Sequence, residues 1–524
     1  MTAAHPAMAR RGGALLFVGI VLATLTDALA STILALGRAD ILGDTAATPD
    51  EFAWLDVGYT ACKLIGFISA AWLINRYSAR HVLVAAVLVM GAASGVAVFI
   101  ADLQWLVLLR VIQGYAGGAV LIAGQTLVFL AYRRAHQPGL QAVFAIGAVV
   151  APATFAPALQ GWLIDSQSWT WIFFCVLPVA LASAGIVVAA AGPMGAQVHP
   201  QRFDGIGLLL MTVSLVCLTY VLSQGSRWDW FEASRIVWMS LIGVAALLAF
   251  VGQQLMMGGR GMLDFRLFSS KDFAFAFIVS FVAGAALFGS AFLIPSFALS
   301  VLAFTPLDAG LLLLPSGGLF VAALLLCAYL MQARGVAPFV TVPLGILLIM
   351  IAMGWLSGSN RESGADDMMG AILLRGLGLG FLFLSITLIA FGELKRNQFA
   401  GGIGLFNTGR QLGGLIGVAG LQTLIEHNHV ANLVVLGSHV SAGGAAMLER
   451  LSNTTALLSH KGVDAAAAGR ASMQLLHRAV NGEAVVIAFD TAFLAVALLF
   501  VIAAPLLVAI KIGLARHGKA QADQ

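Results

Sequence analysis

The chain has 524 residues, of which 60% are apolar and only 10% charged, against roughly 45–50% and 25% in soluble globular domains. This excludes an ordinary water-soluble protein, and apolar blocks of about twenty residues recurring almost from end to end read as a polytopic membrane protein. The net charge of +4 does not indicate nucleic acid binding; its meaning depends on which side of a bilayer the basic residues fall.

The chain opens on a short basic stretch, residues 1–11, leading into an apolar run that ends near residue 36. That run is longer than a signal-peptide core and polar at Thr24, Thr26 and Asp27, so it reads as a retained first span. With about 20 residues needed per crossing, fourteen helices are predicted, at approximately 14–36, 52–74, 81–101, 104–130, 141–163, 169–191, 204–223, 233–257, 272–300, 307–330, 336–357, 367–391, 399–425 and 485–511. Only helices or closed barrels satisfy the backbone inside a bilayer, and these blocks are far too long for barrel strands. The fold class is therefore an all-α polytopic membrane protein.

An even number of spans puts both termini on one side, and alternate loops should then carry the Lys and Arg. Loops on the N-terminal side hold about sixteen: Arg10, Arg11, Arg76, Arg80, Arg133, Arg134, Arg202, Arg260, Arg266, Lys271, Arg334, Lys395, Arg396, Lys511, Arg516 and Lys519. The short opposite loops hold about four, Arg38, Arg227, Arg235 and Arg361, which places both termini in the cytoplasm. The connection before the last span, 426–484, breaks the short-loop pattern. It is polar, carries His427, His429, His439, His460 and His477, and falls outside the cytoplasmic membrane. Its histidine spacings match no metal site, so a solvated helical hairpin is expected and no metal is assigned. Cys62, Cys175, Cys217 and Cys327 lie singly inside apolar blocks, with no disulfide or zinc spacing.

Gly-x-x-x-Gly spacing recurs within spans, at Gly114/Gly118, Gly376/Gly380, Gly409/Gly413 and Gly413/Gly417, where it lets helix backbones approach closely. Ionisable groups at membrane depth are costly and usually face a cavity or a partner. They are Asp27 in span 1, Lys63 in span 2, Arg110 in span 4, Arg375 in span 12, Arg410 in span 13 and Asp490 in span 14. Asp27 is too short to snorkel and reads as functional; Arg375 and Asp490 read as interfacial. Asp56, two turns from Lys63, is either a boundary acid or the partner of Lys63. Pro152 and Pro157 in span 5 each remove a backbone donor and bend the helix, as a gating helix can use.

Several of these stretches resemble the EmrB/QacA-type, fourteen-span drug:proton antiporters of the major facilitator superfamily. Leu109-Arg-Val-Ile-Gln-Gly114 resembles the family's span-4 motif, with Arg110 in the place of its proton-coupling arginine. Val150-Ala-Pro-Ala-Thr-Phe-Ala-Pro-Ala-Leu-Gln-Gly161 resembles the span-5 antiporter motif, and Phe406-Asn-Thr-Gly-Arg-Gln-Leu-Gly-Gly-Leu-Ile-Gly417 the span-13 signature. Three departures stand out. The family's span-1 aspartate directly precedes Ser/Thr-Thr-Ile, whereas here Ala30 does and Asp27 lies one turn earlier. Asn75 and Ser78 replace an acid and a glycine after span 2, and Gln160 stands in a glycine-rich part of the span-5 motif.

The resemblance implies a major facilitator fold: an N-terminal six-helix bundle in 1–200, two additional central helices in 201–260, and a C-terminal six-helix bundle in 261–524 that includes the loop 426–484. It implies proton-coupled efflux of small lipophilic or amphiphilic compounds across the inner membrane by alternating access. Asp27 would be the proton-responsive carboxylate and Arg110 a charge tuning it, with Pro152, Pro157 and Gly161 as the gate. Asp56, Lys63, Arg375, Arg410 and Gln411 are cavity or charge-partner candidates. Basic residues outnumber acids at depth, so the alternative is a dedicated exporter of an endogenous aromatic, fatty-acid or other weak-acid metabolite. No cofactor is expected beyond the proton-motive force, and no paired His or Ser-His arrangement suggests an enzyme. A periplasmic membrane-fusion adaptor and a TolC-type outer-membrane channel are the expected partners, with 426–484 as the docking surface.

Overall fold

A computed structural model describes residues 10–34, 37–190, 203–258, 261–392, 394–440 and 444–522. Arg202 and Arg260 of the basic loops fall outside these, as do the side chains of Arg10, Arg11, Lys511, Arg516 and Lys519. The described residues form helices and no strands. The long ones are α1 (Arg10–Ser31), α2 (Pro49–Tyr77), α3 (Ala79–Ala97), α4 (Leu103–Ala131), α5 (Arg134–Ser166), α6 (Thr170–Ala189), α7 (Gly205–Gln224), α8 (Ser234–Met257), α9 (Lys271–Ser300), α10 (Pro306–Ala333), α11 (Pro338–Leu356), α12 (Ala365–Gly392), α13 (Phe399–His439) and α14 (Ala465–Ala522).

Polar residues in the loops start these helices by capping free backbone donors. Thr48 and Glu51 form a capping box before Pro49 at the head of α2; Asp102 caps α4, Asp204 caps α7, Ser270 caps α9 and Thr305 caps α10. Thirteen of the helices are long and apolar enough to cross a bilayer. The other, α13, falls short on hydropathy because glycines and Asn407, Arg410 and Gln411 dilute its apolar residues. Its packing is nevertheless that of an interior span, with Phe399, Ala400 and the stretch from Gly402 to Gly409 buried.

Helices α1 to α6 pack among themselves, as do α9 to α14. The two sets meet where α5 runs along α10 and α12, and where α13 runs along α2 and α4. The added hairpin sits against this seam: α7 lies on α2 and α13, and α8 lies on α7. Trp238, Leu248 and Met256 of α8 are exposed, an apolar face suited to the hydrocarbon of a bilayer. At the α7–α8 turn, Trp230 Nε1 donates to Thr423 Oγ1 of α13 at 3.0 Å and Arg227 pairs with Asp50 of α2 at 2.8 Å, so one loop touches both sets.

The Gly-x-x-x-Gly spacings sit where backbones meet. A Cβ on Gly114 or Gly118 of α4 would stand 2.1 Å from Tyr59 O or 2.4 Å from Lys63 O of α2. On α13, a Cβ at Gly413 would stand 2.0 Å from Phe281 O of α9, and on α12 one at Gly376 would stand 2.3 Å from Ser316 O of α10. Alanine does not fit at such positions without parting the helices.

The segment 426–484 is helical in its described residues. Helix α13 continues to His439, a short helix spans Ala445–His460, and α14 begins at Ala465. His429 and Asn481 are 3.0 Å apart, and Thr455 donates to Ser472 at 3.0 Å, so the extension is a packed hairpin with a third short helix laid on it.

Candidate functional site

Helix α1 ends at Ser31, which leaves its last carbonyls without intrahelical donors. Two neighbours supply them. Arg110 Nη1 of α4 donates to Ala30 O at 2.7 Å, and Gln160 Nε2 of α5 donates to Leu29 O at 3.0 Å and Thr32 Oγ1 at 2.9 Å.

One turn further in, Asp27 faces α2 and α4. Its Oδ2 accepts from Lys63 Nζ at 2.9 Å and its Oδ1 from the Tyr59 hydroxyl at 3.1 Å. The pair is closed off from solvent, with Asp27 2% and Lys63 7% exposed. A glycine makes the approach possible, since a Cβ on Gly117 would stand 2.2 Å from Asp27 Oδ1. Arg110 is fully buried, its guanidinium 4.1 Å from the centroid of the Tyr59 ring, and it also donates to Gln113 Oε1 at 3.0 Å. Tyr59 thus stands between the two charges, ring on the guanidinium and hydroxyl on the carboxylate.

Two sequence expectations change here. The ion-pair partner of Lys63 is Asp27, not Asp56; Asp56 is exposed, with Arg110 and Arg38 as the cations acting on it. Tyr59 bridges Arg110 and Asp27. Arg375 is not interfacial: it is 1% exposed, donates from Nε to Ser290 Oγ at 2.7 Å, and its Nη2 has no acceptor among the described residues. Asp490 is half-buried, with Oδ1 also unpartnered.

In α5, residues Ile146–Phe155 adopt a π-helix that contains Pro152, and Pro157 opens the α-helical turn that follows. Widened turns of this kind arise where a proline removes a backbone donor. The distal part of α5 lies directly on α10. A Cβ on Gly161 would stand 3.1 Å from Leu307 Cα, and one on Gly310 would stand 3.1 Å from Pro157 O. Gln160, which holds the end of α1, is therefore the immediate neighbour of the residue that touches the other half.

Arg410 lies on the seam between the halves. Its Nη2 donates to Asn407 Oδ1 at 2.7 Å, and its guanidinium is 4.9 Å from the Phe383 ring centroid. Asn407 Nδ2 donates to Gln125 Oε1 of α4 at 3.3 Å, and Gln125 Nε2 to Gln141 Oε1 of α5 at 3.1 Å, so a line of amides crosses from one half to the other. Gln411 is half-buried and lines neither of the two cavities beside Arg410. A cavity of about 740 Å³ opens on the flank of α2, α3 and α4 near Arg76, His81 and Tyr115, and none of Asp27, Tyr59, Lys63 and Arg110 lines it. No three His, Cys, Asp or Glu side chains converge among the described residues.

The Major Facilitator Superfamily sequence profile matches residues 16–418, more than three quarters of the chain. The chain belongs to the Major Facilitator Superfamily. Within it, the chain is similar to the multidrug resistance protein B homolog of Mycobacterium tuberculosis, 28% identical over 454 residues that cover 84% of this chain and 83% of that one. The multidrug export protein EmrB of Haemophilus influenzae is 28% identical over 428 residues, covering 80% and 82%. The fatty acid resistance protein FarB of Neisseria gonorrhoeae is 25% identical over 499 residues, covering 95% and 96%. Solved structures agree on the fold. The nucleoside transporter NupG superposes with a TM-score of 0.51 at 14% identity, covering 94% of this chain and 99% of that one, and human MFSD10 with 0.53 at 13%, covering 80% and 94%. This is a major facilitator, an all-α multi-pass membrane protein, and its sequence is similar to those of EmrB-type exporters.

Reading this superfamily member for ionisable groups alone misses its neutral polar residues. Tyr59 sits one turn before Lys63 on the same face of α2, and Gln113, Gln125, Gln141 and Asn407 are all buried inside spans. An uncharged amide at membrane depth carries the same message as a charge, at lower cost.

Proposed function

We propose that this protein exports small lipophilic or amphiphilic compounds from the cytoplasm in exchange for protons, with both termini cytoplasmic and the seam between residues 1–200 and 261–524 alternately opened to either side of the inner membrane. The observation that carries this reading is the buried Asp27–Lys63 pair at 2.9 Å on the helix whose end is held by Arg110 and Gln160. A proton on Asp27 removes the counterion of Lys63 and leaves a buried cation unpaired, so protonation and a shift of α1 against α2 are linked. Gln160 passes that shift to the contact of Gly161 with Leu307, and the π-helical turn around Pro152 lets α5 bend in response. An inward proton supplies about 2.3 kcal/mol per 100 mV, enough for roughly fiftyfold accumulation of a neutral compound. The names of the relatives support multidrug export, and that of FarB favours the second reading, a weak-acid exporter. The helical extension 426–484 is proposed as the surface for a membrane-anchored adaptor that meets a TolC-type channel.

The test is uphill transport. Inverted vesicles from an efflux-deficient host expressing the chain should accumulate a lipophilic dye when energised and lose it on adding an uncoupler. Accumulation that ignores the uncoupler would exclude proton coupling.

A further inference from the structure

Two narrow cavities meet at Arg410, and they differ in character. The first lies between the halves and is bordered by Gln125, Gln141, Thr387 and Asn407; the second lies within the α9–α14 set and is bordered by Leu287, Leu379, Leu382, Ile386 and Phe406. Arg410, Phe383 and Thr387 border both, so guanidinium and ring stand between a space that carries three amides among apolar side chains and one that is almost wholly apolar. Each holds about 10 Å³ of open space, room for about one water, which means the halves are closed on this point.

Charge is unbalanced here. Among the described residues, no carboxylate lies within ion-pair distance of Arg410 or of Arg375, whereas Lys63 in the other half has Asp27. Arg410 donates one hydrogen bond, to a neutral amide, and lies over a ring face. A guanidinium at membrane depth with a fork of five donors is poorly served by that set, and an oxyanion would complete it. A cation brought to the same place would meet like charge with no acid to offset it.

We infer that the exported compound is an amphiphilic anion whose carboxylate or sulfonate sits on Arg410, flanked by Gln125 and Asn407, while its apolar body occupies the aliphatic cavity when the halves part. Arg410 is the residue that selects charge, and Leu382 and Ile386 select shape. The inference rests on the efflux reading and names its substrate class.

The probes are three naphthalenes of similar shape: the sulfonate, the neutral sulfonamide and a trimethylammonium derivative. Binding to the purified full chain is measured by calorimetry, and uphill transport in proteoliposomes. The wild type should bind the sulfonate at least about tenfold more tightly than the sulfonamide and the ammonium compound more weakly still. Arg410→Gln should erase the preference for the sulfonate without weakening the sulfonamide, and Arg410→Lys should keep part of it. Ile386→Trp should weaken all three probes alike, leaving the charge preference in place. Should Arg410→Gln fail to fold, the wild-type comparison decides alone: equal binding of sulfonate and sulfonamide, or preference for the ammonium compound, overturns the inference. An unchanged sulfonate preference in folded Arg410→Gln overturns it as well. Uphill transport of a lipophilic dye without any anion preference defeats only this inference, while absence of all proton-driven transport defeats the efflux reading beneath it.

Discussion

Asp27 and Lys63 of the first half meet at 2.9 Å, whereas Arg375 and Arg410 of the second find a serine, an asparagine and a phenylalanine ring but no carboxylate among the described residues. Both halves use the same construction, close-packed helices joined at glycines, and each buries an arginine without a carboxylate, Arg110 in the first and Arg375 in the second, but only the first also buries an ion pair. A self-neutralised pair can be switched by a single proton, because protonation unbalances it. An unbalanced cation cannot be switched so, but it can wait for an anion. In the proposed mechanism that difference separates the coupling ion from the cargo, with protons acting on the pair in the first half and the substrate held in the second.

The sharpest way to break this contrast is to unbalance the first half. Lys63→Ala leaves Asp27 buried without its cation, and uphill export should fall at least about a hundredfold. The double change Asp27→Asn with Lys63→Ala removes both charges and should restore thermal stability of the purified protein without restoring coupling. Arg110→Ala comes next: it frees Ala30 O at the end of α1 and uncovers the Tyr59 ring, and export should fall about tenfold or more, with Lys recovering only part because it lacks the planar fork.

Much of this was legible in the chain itself. Hydropathy finds thirteen spans, and α13 is visible through its glycine spacing although asparagine, arginine and glutamine lower its hydropathy. The depth of Asp27 marks it from sequence alone, yet its partner is hidden. Lys63 lies thirty-six positions away in the chain, on a helix that meets α1 only after folding, while Asp56 is two turns off on the same helix and looks nearer. Arg375 reads as interfacial because distance from a span end says nothing about which face points inward; the fold turns it toward Ser290. The line of amides from Arg410 to Gln141 escapes notice because each member alone is an ordinary polar residue, and only the seam between halves joins them.

Smaller effects sharpen the contrast. Gly161→Val places a branched side chain where even a Cβ stands 3.1 Å from Leu307 Cα, so the α5–α10 contact opens and export should fall several-fold while substrate binding at Arg410 persists. The smallest effect is expected outside the membrane. Replacing 426–484 by a Gly/Ser linker should abolish co-purification of an adaptor and leave transport in vesicles lacking an outer membrane near wild type; unchanged co-purification would place the adaptor contact elsewhere.

The central claim is that Asp27 couples protons to export without itself holding the cargo, and substrate exchange in proteoliposomes carrying Asp27→Asn tests it most directly. With substrate on both sides and no proton gradient, the variant should exchange labelled for unlabelled compound at a rate close to wild type. With an imposed pH gradient it should accumulate none. Accumulation driven by the gradient in this variant would contradict the account.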